Sequence, residues 1–283
     1  MSLATFIPEI WSKLLLASLK KSLVYAAPGV VNRDYEGEIS EQGDTVTINS
    51  ISRPTIGTYV KGSTTITPEQ LTTAQRKLIV DQSKYFAFEV DDVDKRQAAG
   101  DVIPEAIVEA AYGLRDVADQ YVVSLYTGVV AANDLGTIAV VAATPTNAYD
   151  LVLVPLMVAL DDASVPKEGR YVVIPPWFHG RLLRDDRFVR ADASGGTEAL
   201  RNGFIGRASG FDIRMSNNTP NPVGDDNVVL AGFPGAISFA EQINKVEAYR
   251  PEDSFSDAVK GLHLYGAKLV RPNGIAIATV SPT

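Results

Sequence analysis

The segment Val102–Tyr126 constrains this chain more than any other. Ile103, Ile107, Ala110, Leu114, Val117, Tyr121 and Leu125 recur at intervals of four and three, which makes one apolar stripe along a helix. Asp101 suits the N-cap, Pro104 is tolerated in the first turn, and Glu105 and Glu109 lie near the positive end of the helix dipole. Gly128 marks the end. Such a helix is about 36 Å long at about 1.5 Å per residue. It is a spine, and its neighbours in sequence read as strands. The fold class is therefore α+β.

Upstream of the spine, Val46 and Ile48 alternate with Thr45, Thr47 and Asn49, the signature of a half-buried strand. Pro54, Gly57, Gly62 and Pro68 then interrupt the pattern, so Asp44–Asp81 reads as a long two-stranded excursion with a flexible tip. An isolated hairpin is marginal in water. This one is expected to lie on another subunit, with packing onto its own core as the alternative. In Lys84–Val90, Tyr85, Ala87 and Glu89 alternate against Phe86, Phe88 and Val90 as a further strand. At the start of the chain, Ile7, Ile10, Trp11, Leu14, Leu15 and Leu19 follow helical spacing, while Glu9, Lys13, Lys20 and Lys21 interrupt the apolar run. That pattern favours an amphipathic docking helix over a signal peptide.

Downstream of the spine, a helix is expected from Thr146 or Asn147 to about Ser164, kinked at Pro155. Arg170–Ile174 reads as a buried strand that Pro175-Pro176 stops, with a short helix through Trp177, Leu182 and Leu183. Thr197 is placed to cap another short helix closing at Gly203. Phe211–Met215, Val228–Leu230, Ile237–Phe239 and Ile275–Val280 are further strand-like runs. The order suggests a compact middle lobe inserted between parts of a second lobe built from both ends of the chain.

The function classes excluded follow from composition. A net charge of -8 argues against tight nonspecific nucleic-acid binding, which draws its affinity from Lys and Arg at phosphates. Enclosing a polymer needs no such grip. The absence of cysteine removes disulfides, thiol catalysis and Cys-ligated zinc. No apolar run approaches the about 20 residues of a membrane span, so a soluble protein with no membrane partner is expected.

No arrangement of residues points to catalysis. His179 and His263 are far apart, and no nucleophile motif marks a partner for either. Gly206-Arg207-Ala208-Ser209-Gly210 lacks the Gly-x-Ser-x-Gly spacing of a nucleophile elbow, and Gly203, Gly206 and Gly210 match neither a dinucleotide fingerprint nor a P-loop. Asp91, Asp92 and Asp94 could hold a divalent cation, but they precede Lys95-Arg96 and read better as a capped turn with local ion pairs. No catalytic, metal or cofactor residue is expected. Arg181, Arg184, Arg187 and Arg190 recur every three residues, and Asp185, Asp186 and Asp192 balance their charge. That balance favours reciprocal subunit contacts over a DNA-facing ridge or a merely solvated helix face.

Taken in order, these pieces resemble the major capsid proteins of tailed bacteriophages, which have the Hong Kong 97 phage capsid fold. The residues that carry the resemblance are the amphipathic start with Trp11, Asn32-Arg33-Asp34-Tyr35-Glu36-Gly37, the Gly43-Asp44-Thr45-Val46 opening of the arm, and the spine helix. Gly169-Arg170-Tyr171-Val172-Val173-Ile174-Pro175-Pro176, the stretch GFIGRASGFDIRMSNNTP at Gly203–Pro220, and the closing Arg250–Val280 segment follow. The resemblance implies an N-terminal arm (1–43), an extended β-hairpin loop (44–81), a discontinuous peripheral domain with the spine (82–129 and 246–283) and an axial domain (130–245).

It further implies pentamers and hexamers of an icosahedral shell around double-stranded DNA, assembled in the bacterial cytoplasm and binding that DNA without sequence specificity. Expected partners are copies of the chain itself, a portal and a decoration protein. A separate scaffolding protein is also expected, because the chain opens directly at the arm. Some relatives join subunits by a Lys–Asn isopeptide bond. Lys61 is the only lysine within Arg53–Leu71 able to attempt it, and nothing names its partner. Rival readings are an encapsulin-like compartment enclosing protein cargo, another virion part such as a decoration or tail-tube protein, and an enzyme or ligand-binding protein with a pocket of convergent titratable groups.

Overall fold

A computed structural model of the chain describes residues 24–35, 45–51, 54–91, 102–189, 206–253 and 255–282. Val102–Ser124 form one α-helix (α1), and a 3₁₀ turn at Leu125–Gly128 closes it. The inward face departs from the stripe read in the sequence. Ile107, Ala111, Leu114, Ala118 and Val122 are buried, whereas Val117 is 38% exposed. The reason lies in what the helix packs on: its two halves meet different cores, and those decide which side chains turn inward.

The helix braces two cores with its two halves. Its first half packs Ile107, Ala111 and Leu114 on Val246, Val259, Phe86, Phe88 and Val90. Those side chains belong to an antiparallel sheet of β3 (Gln82–Asp91), β10 (Ser256–Leu269) and β9 (Ile237–Tyr249), with β10 in the centre. Phe86, Phe88 and Val90 face α1 while Tyr85, Ala87 and Glu89 are exposed, as the alternation predicts. Gly261 makes this layer possible. A Cβ there would overlap the Phe86 ring.

The second half of α1 meets a six-stranded sheet ordered β4-β11-β8-β5-β7-β6. Its strands are β4 (Asp134–Ala139), β5 (Tyr171–Ile174), β6 (Arg207–Ala208), β7 (Phe211–Met215), β8 (Asn227–Gly232) and β11 (Ile275–Ser281). One face carries Tyr171, Val173, Leu230 and Ile277 against Ala118, Val122, Phe239 and Tyr265. The other carries Val172, Ile174, Val229 and Ala278 against Leu156, Leu160, Phe178 and Leu182. Burial on both faces explains why β5 and β8 read as continuous apolar runs with no alternation. The last strand, grouped in the sequence with the outer lobe, pairs here with β4 and β8.

Leu156 and Leu160 come from α2 (Val154–Asp162), and Phe178 and Leu182 from α3 (Pro176–Leu182). The sequence predicts one kinked helix across Pro155. Instead a π-helical turn, Ala148–Leu153, precedes α2, and Pro155 falls in the first turn of α2. The widened turn frees the position four residues before the ring, which a continuous α-helix would make clash. Among the described residues no helix is long and apolar enough to cross a membrane.

Candidate functional site

The extended hairpin is the part of the molecule that its own core does not account for. Strands β1 (Thr45–Ile51) and β2 (Thr73–Ile79) pair antiparallel from Thr45↔Ile79 to Ile51↔Thr73. At the root, Val46, Leu78 and Val80 are buried with Ala240 and Leu264 of β9 and β10. Gly266 lets the arm cross β10 there, because a Cβ at 266 would overlap the Ile79 carbonyl. Arg76 adds a hydrogen bond from Nη1 to the Leu269 carbonyl, 3.1 Å.

Beyond the root the arm leaves the body. Every residue from 54 to 73 is exposed, including Ile56 at 88% and Ile66 at 76%, together with Tyr59, Val60 and Leu71. The tip is nevertheless ordered by local bonds. Thr55 N donates to Glu69 Oε2 (2.9 Å), Val60 N to Thr64 Oγ1 (2.8 Å), and Ser63 N to the Val60 carbonyl (3.2 Å). Lys61 stands on that turn in solvent. The structure thus bears on one of the two sequence-based alternatives for the hairpin, packing onto its own core. Its root packs on its own chain, and its tip does not.

Two buried charged clusters fix the elements around the root. Glu241 is ion-paired with Arg33, and its Oε2 lies 3.4 Å from His263 Nε2. The Arg33 guanidinium also stacks over Phe239 at 5.2 Å, and the His263 ring lies 5.1 Å from Tyr265. Burial alone would raise the Glu241 pKa, but His263 and Arg33 outweigh it and hold the carboxyl below its ordinary range. The second cluster is centred on Asp119 of α1. Its Oδ1 accepts the amides of Val24 (3.1 Å), Tyr25 (2.7 Å) and Ala26 (3.2 Å), and Oδ2 accepts from Asn218 Nδ2 (3.3 Å). Here burial wins over these bonds, and the Asp119 pKa is raised. One carboxylate therefore ties the segment at 24–26 to the spine and to the loop after β7.

Of the arginines read as a ridge, Arg181, Arg184 and Arg187 do not share a helix face. α3 ends at Leu182, and α4 (Asp186–Val189) starts after a bend. Arg181 is half-buried, with Nε enclosed and without a hydrogen-bond partner; Arg184 is exposed on the bend. Arg187 bonds within the chain. Nη2 reaches Asp185 Oδ2 at 2.6 Å, Nη1 reaches Asp150 Oδ1 at 2.7 Å, and the guanidinium lies over Tyr149 at 4.9 Å. The hydrogen bonds that Arg187 donates to Asp185 and Asp150 raise its pKa. Burial would raise the pKa of Asp185, yet Arg187 holds it down. Arg190 lies outside the described residues, as do the amphipathic helix expected at the start of the chain, Asp92, Asp94 and the helix expected from Thr197 to Gly203.

The described chain thus combines an exposed arm tip, a long braced helix and a six-stranded sheet sandwiched between side chains of the same chain. A family model described as phage capsid protein matches residues 75–278. The chain belongs to the phage capsid protein family. A chain from Mycobacterium phage Che8 is 31% identical to this capsid protein, with a TM-score of 0.76 and 91% of each chain covered. The capsid structure of cyanophage P-SCSP1u shares the fold at 16% identity and a TM-score of 0.74, covering 93% of this chain and 90% of its own. The mature capsid of bacteriophage PhiM1 does so at 16% and 0.69, covering 89% and 88%. No curated protein matches significantly. The fold is the Hong Kong 97-like capsid fold, as the resemblance implies, and the family match favours a phage capsid over a cargo compartment.

Asp119, Glu241 and Gly266 were not singled out by the residue patterns of the sequence. A signal existed for two of them. Asp119 directly follows Ala118 of the buried face, and Glu241 shares strand parity with buried Phe239, as His263 does with Tyr265. An acid at an apolar-parity position predicts a partnered buried charge.

Proposed function

We propose that this capsid protein tiles an icosahedral phage head as pentamers and hexamers, enclosing double-stranded DNA without gripping it and without catalytic turnover. One observation carries the proposal: the apolar tip, with Ile56 and Ile66 largely exposed, is held out in an ordered conformation. Contiguous exposed apolar surface marks an interaction site. A neighbouring copy is the natural cover, because it arrives at every position of a repeating wall. In this reading the six-stranded sheet forms the core of the axial lobe, and the spine with the three-stranded sheet forms the peripheral lobe. Lys61, Arg181, Arg184, Arg187 and Arg190 contribute at the edges between copies. The net charge of -8 lets packed DNA slide against the wall.

A scaffolding protein, a portal and a decoration protein complete the particle, which assembles in the bacterial cytoplasm. Electron microscopy of the purified protein, with and without co-expressed phage partners, tests this. Closed shells, rings of five or six, or curved sheets are expected; a protein that stays monomeric under all conditions would refute it.

A further inference from the structure

We infer that the turn at 220–226 of one copy seats in a cleft at the far end of the six-stranded sheet of a second copy. The inference rests on the self-assembly proposed above and names one of its contacts. The cleft has a volume of about 460 Å³, and its walls include Val130, Val165, Phe233 and Pro272 with Arg76 and Arg271. The arginines are held in place within the chain. Arg76 is fixed by the Leu269 carbonyl, and the Arg271 guanidinium lies 5.8 Å from the Phe233 ring centre. Among the described residues neither is paired with a carboxylate. An apolar hollow with two unneutralised guanidiniums is complementary to an apolar knob flanked by acids.

The turn between β7 and β8 has that chemistry. Val223 at its apex is 71% exposed, and Asp225 and Asp226 follow it. Its shape is set in advance. Asp226 N donates to the Val223 carbonyl (3.0 Å), and Val228 N to the Pro220 carbonyl (2.9 Å). Pro220 and Pro222 fix two further φ angles, so docking orders little new chain.

Topology then decides whose cleft the turn fills. β8 begins just after the turn at Asn227 and ends at Gly232, next to Phe233 of the cleft. β11 confirms the direction, since Val280 pairs with Asn227 and Ile275 with Gly232. Knob and cleft are therefore separated by the length of a six-residue strand, about 20 Å at about 3.3 Å per residue. A copy cannot fill its own cleft. Each copy offers one knob and one cleft on different surfaces, so the contact is head-to-tail and either closes a ring or propagates. Between copies that each carry a charge of -8, it is also a place where opposite charges meet.

The chain has no cysteine, which makes the test clean. Val223→Cys and exposed Asn273→Cys are placed together in the full chain, particles are assembled, and a mild oxidant is added. A ladder of cross-linked multimers on a non-reducing gel is expected, with none from either single variant. Adding Arg271→Glu should abolish the ladder. Adding Asp225→Lys with Asp226→Lys, on the solvent-exposed turn, should also abolish it, and all three charge changes together should restore it. Normal particles with no ladder would overturn the contact while leaving the shell reading intact. Cross-linked dimers from Val223→Cys alone would overturn it too, since the turn would then meet its own copy. If neither the parent chain nor the variants form particles, the shell reading fails first and the contact with it.

Discussion

Strands β5, β8 and β11 are covered on both faces by side chains of the same subunit, whereas β1 and β2 are covered only at their root and lead to a tip exposed from 54 to 73. Both regions are rich in Val, Ile and Thr. What separates them is where their cover comes from. The sandwich is complete in one copy, so the stability of the free subunit should reside there. The arm tip has apolar side chains and a local hydrogen-bond order but no core, and in the proposed shell its cover comes from a neighbouring copy. Damage to the sandwich should unfold the subunit, and damage to the tip should spare the subunit while preventing assembly.

The largest effect on subunit stability is expected in the sandwich. Phe178 is fully buried between α3 and the six-stranded sheet. Phe178→Ala should lower the unfolding free energy of the unassembled chain by about 3–5 kcal/mol, read from chemical denaturation. Asp119→Ala comes next. It leaves the Val24, Tyr25 and Ala26 amides without their acceptor, with an expected loss of about 2–4 kcal/mol. Limited proteolysis should then cut near residue 30 before it cuts the sheet.

At the root of the arm, Gly266→Ala forces a methyl into the Ile79 carbonyl and should cost about 1–3 kcal/mol. An unchanged melting temperature would mean that the arm does not cross β10 this closely. Glu241 supplies a smaller, pH-dependent contribution. Its pKa is held below the ordinary value of 4.5. The unfolded chain therefore binds the proton more readily, so this stabilisation is complete above the ordinary carboxylate pKa and is lost as pH falls through the depressed one. Glu241→Gln should flatten the acid limb of a stability–pH curve. An acid limb of the same slope in both proteins would show that Arg33 and His263 do not favour the ionised carboxyl.

The smallest effect on the isolated subunit should come from the tip. Ile56→Ser with Ile66→Ser should change its stability by no more than about 0.5 kcal/mol. The same pair should reduce assembly sharply, as seen by sedimentation velocity. Equal losses of stability and assembly would mean that the tip belongs to the subunit core, and the contrast between the two regions would disappear.

Local chemistry was legible in the sequence wherever one residue pattern had one physical reading. The arm strands, the Lys84–Val90 alternation, the strand before Pro175-Pro176 and the existence of the spine all follow from period and breakers. What was not legible depended on partners distant in sequence. The buried face of α1 is set by which cores its two halves meet, and no heptad count contains that. Pro155 signalled an interruption but not its form, a π-helical turn. The arginine spacing at 181, 184 and 187 assumes one continuous helix, and the chain bends at Asp185, where that buried carboxylate binds Arg187. The close approach of Gly266 to Ile79 links positions far apart in sequence and leaves no local trace.

A reconstruction of assembled particles by cryo-electron microscopy tests the central claim most directly, because it locates residues 54–73 relative to the neighbouring copy. The account predicts that Ile56, Tyr59 and Ile66 lie buried against an adjacent subunit while the root stays on its own β10. A closed shell in which those side chains remain in solvent, or fold back onto their own subunit, would contradict it.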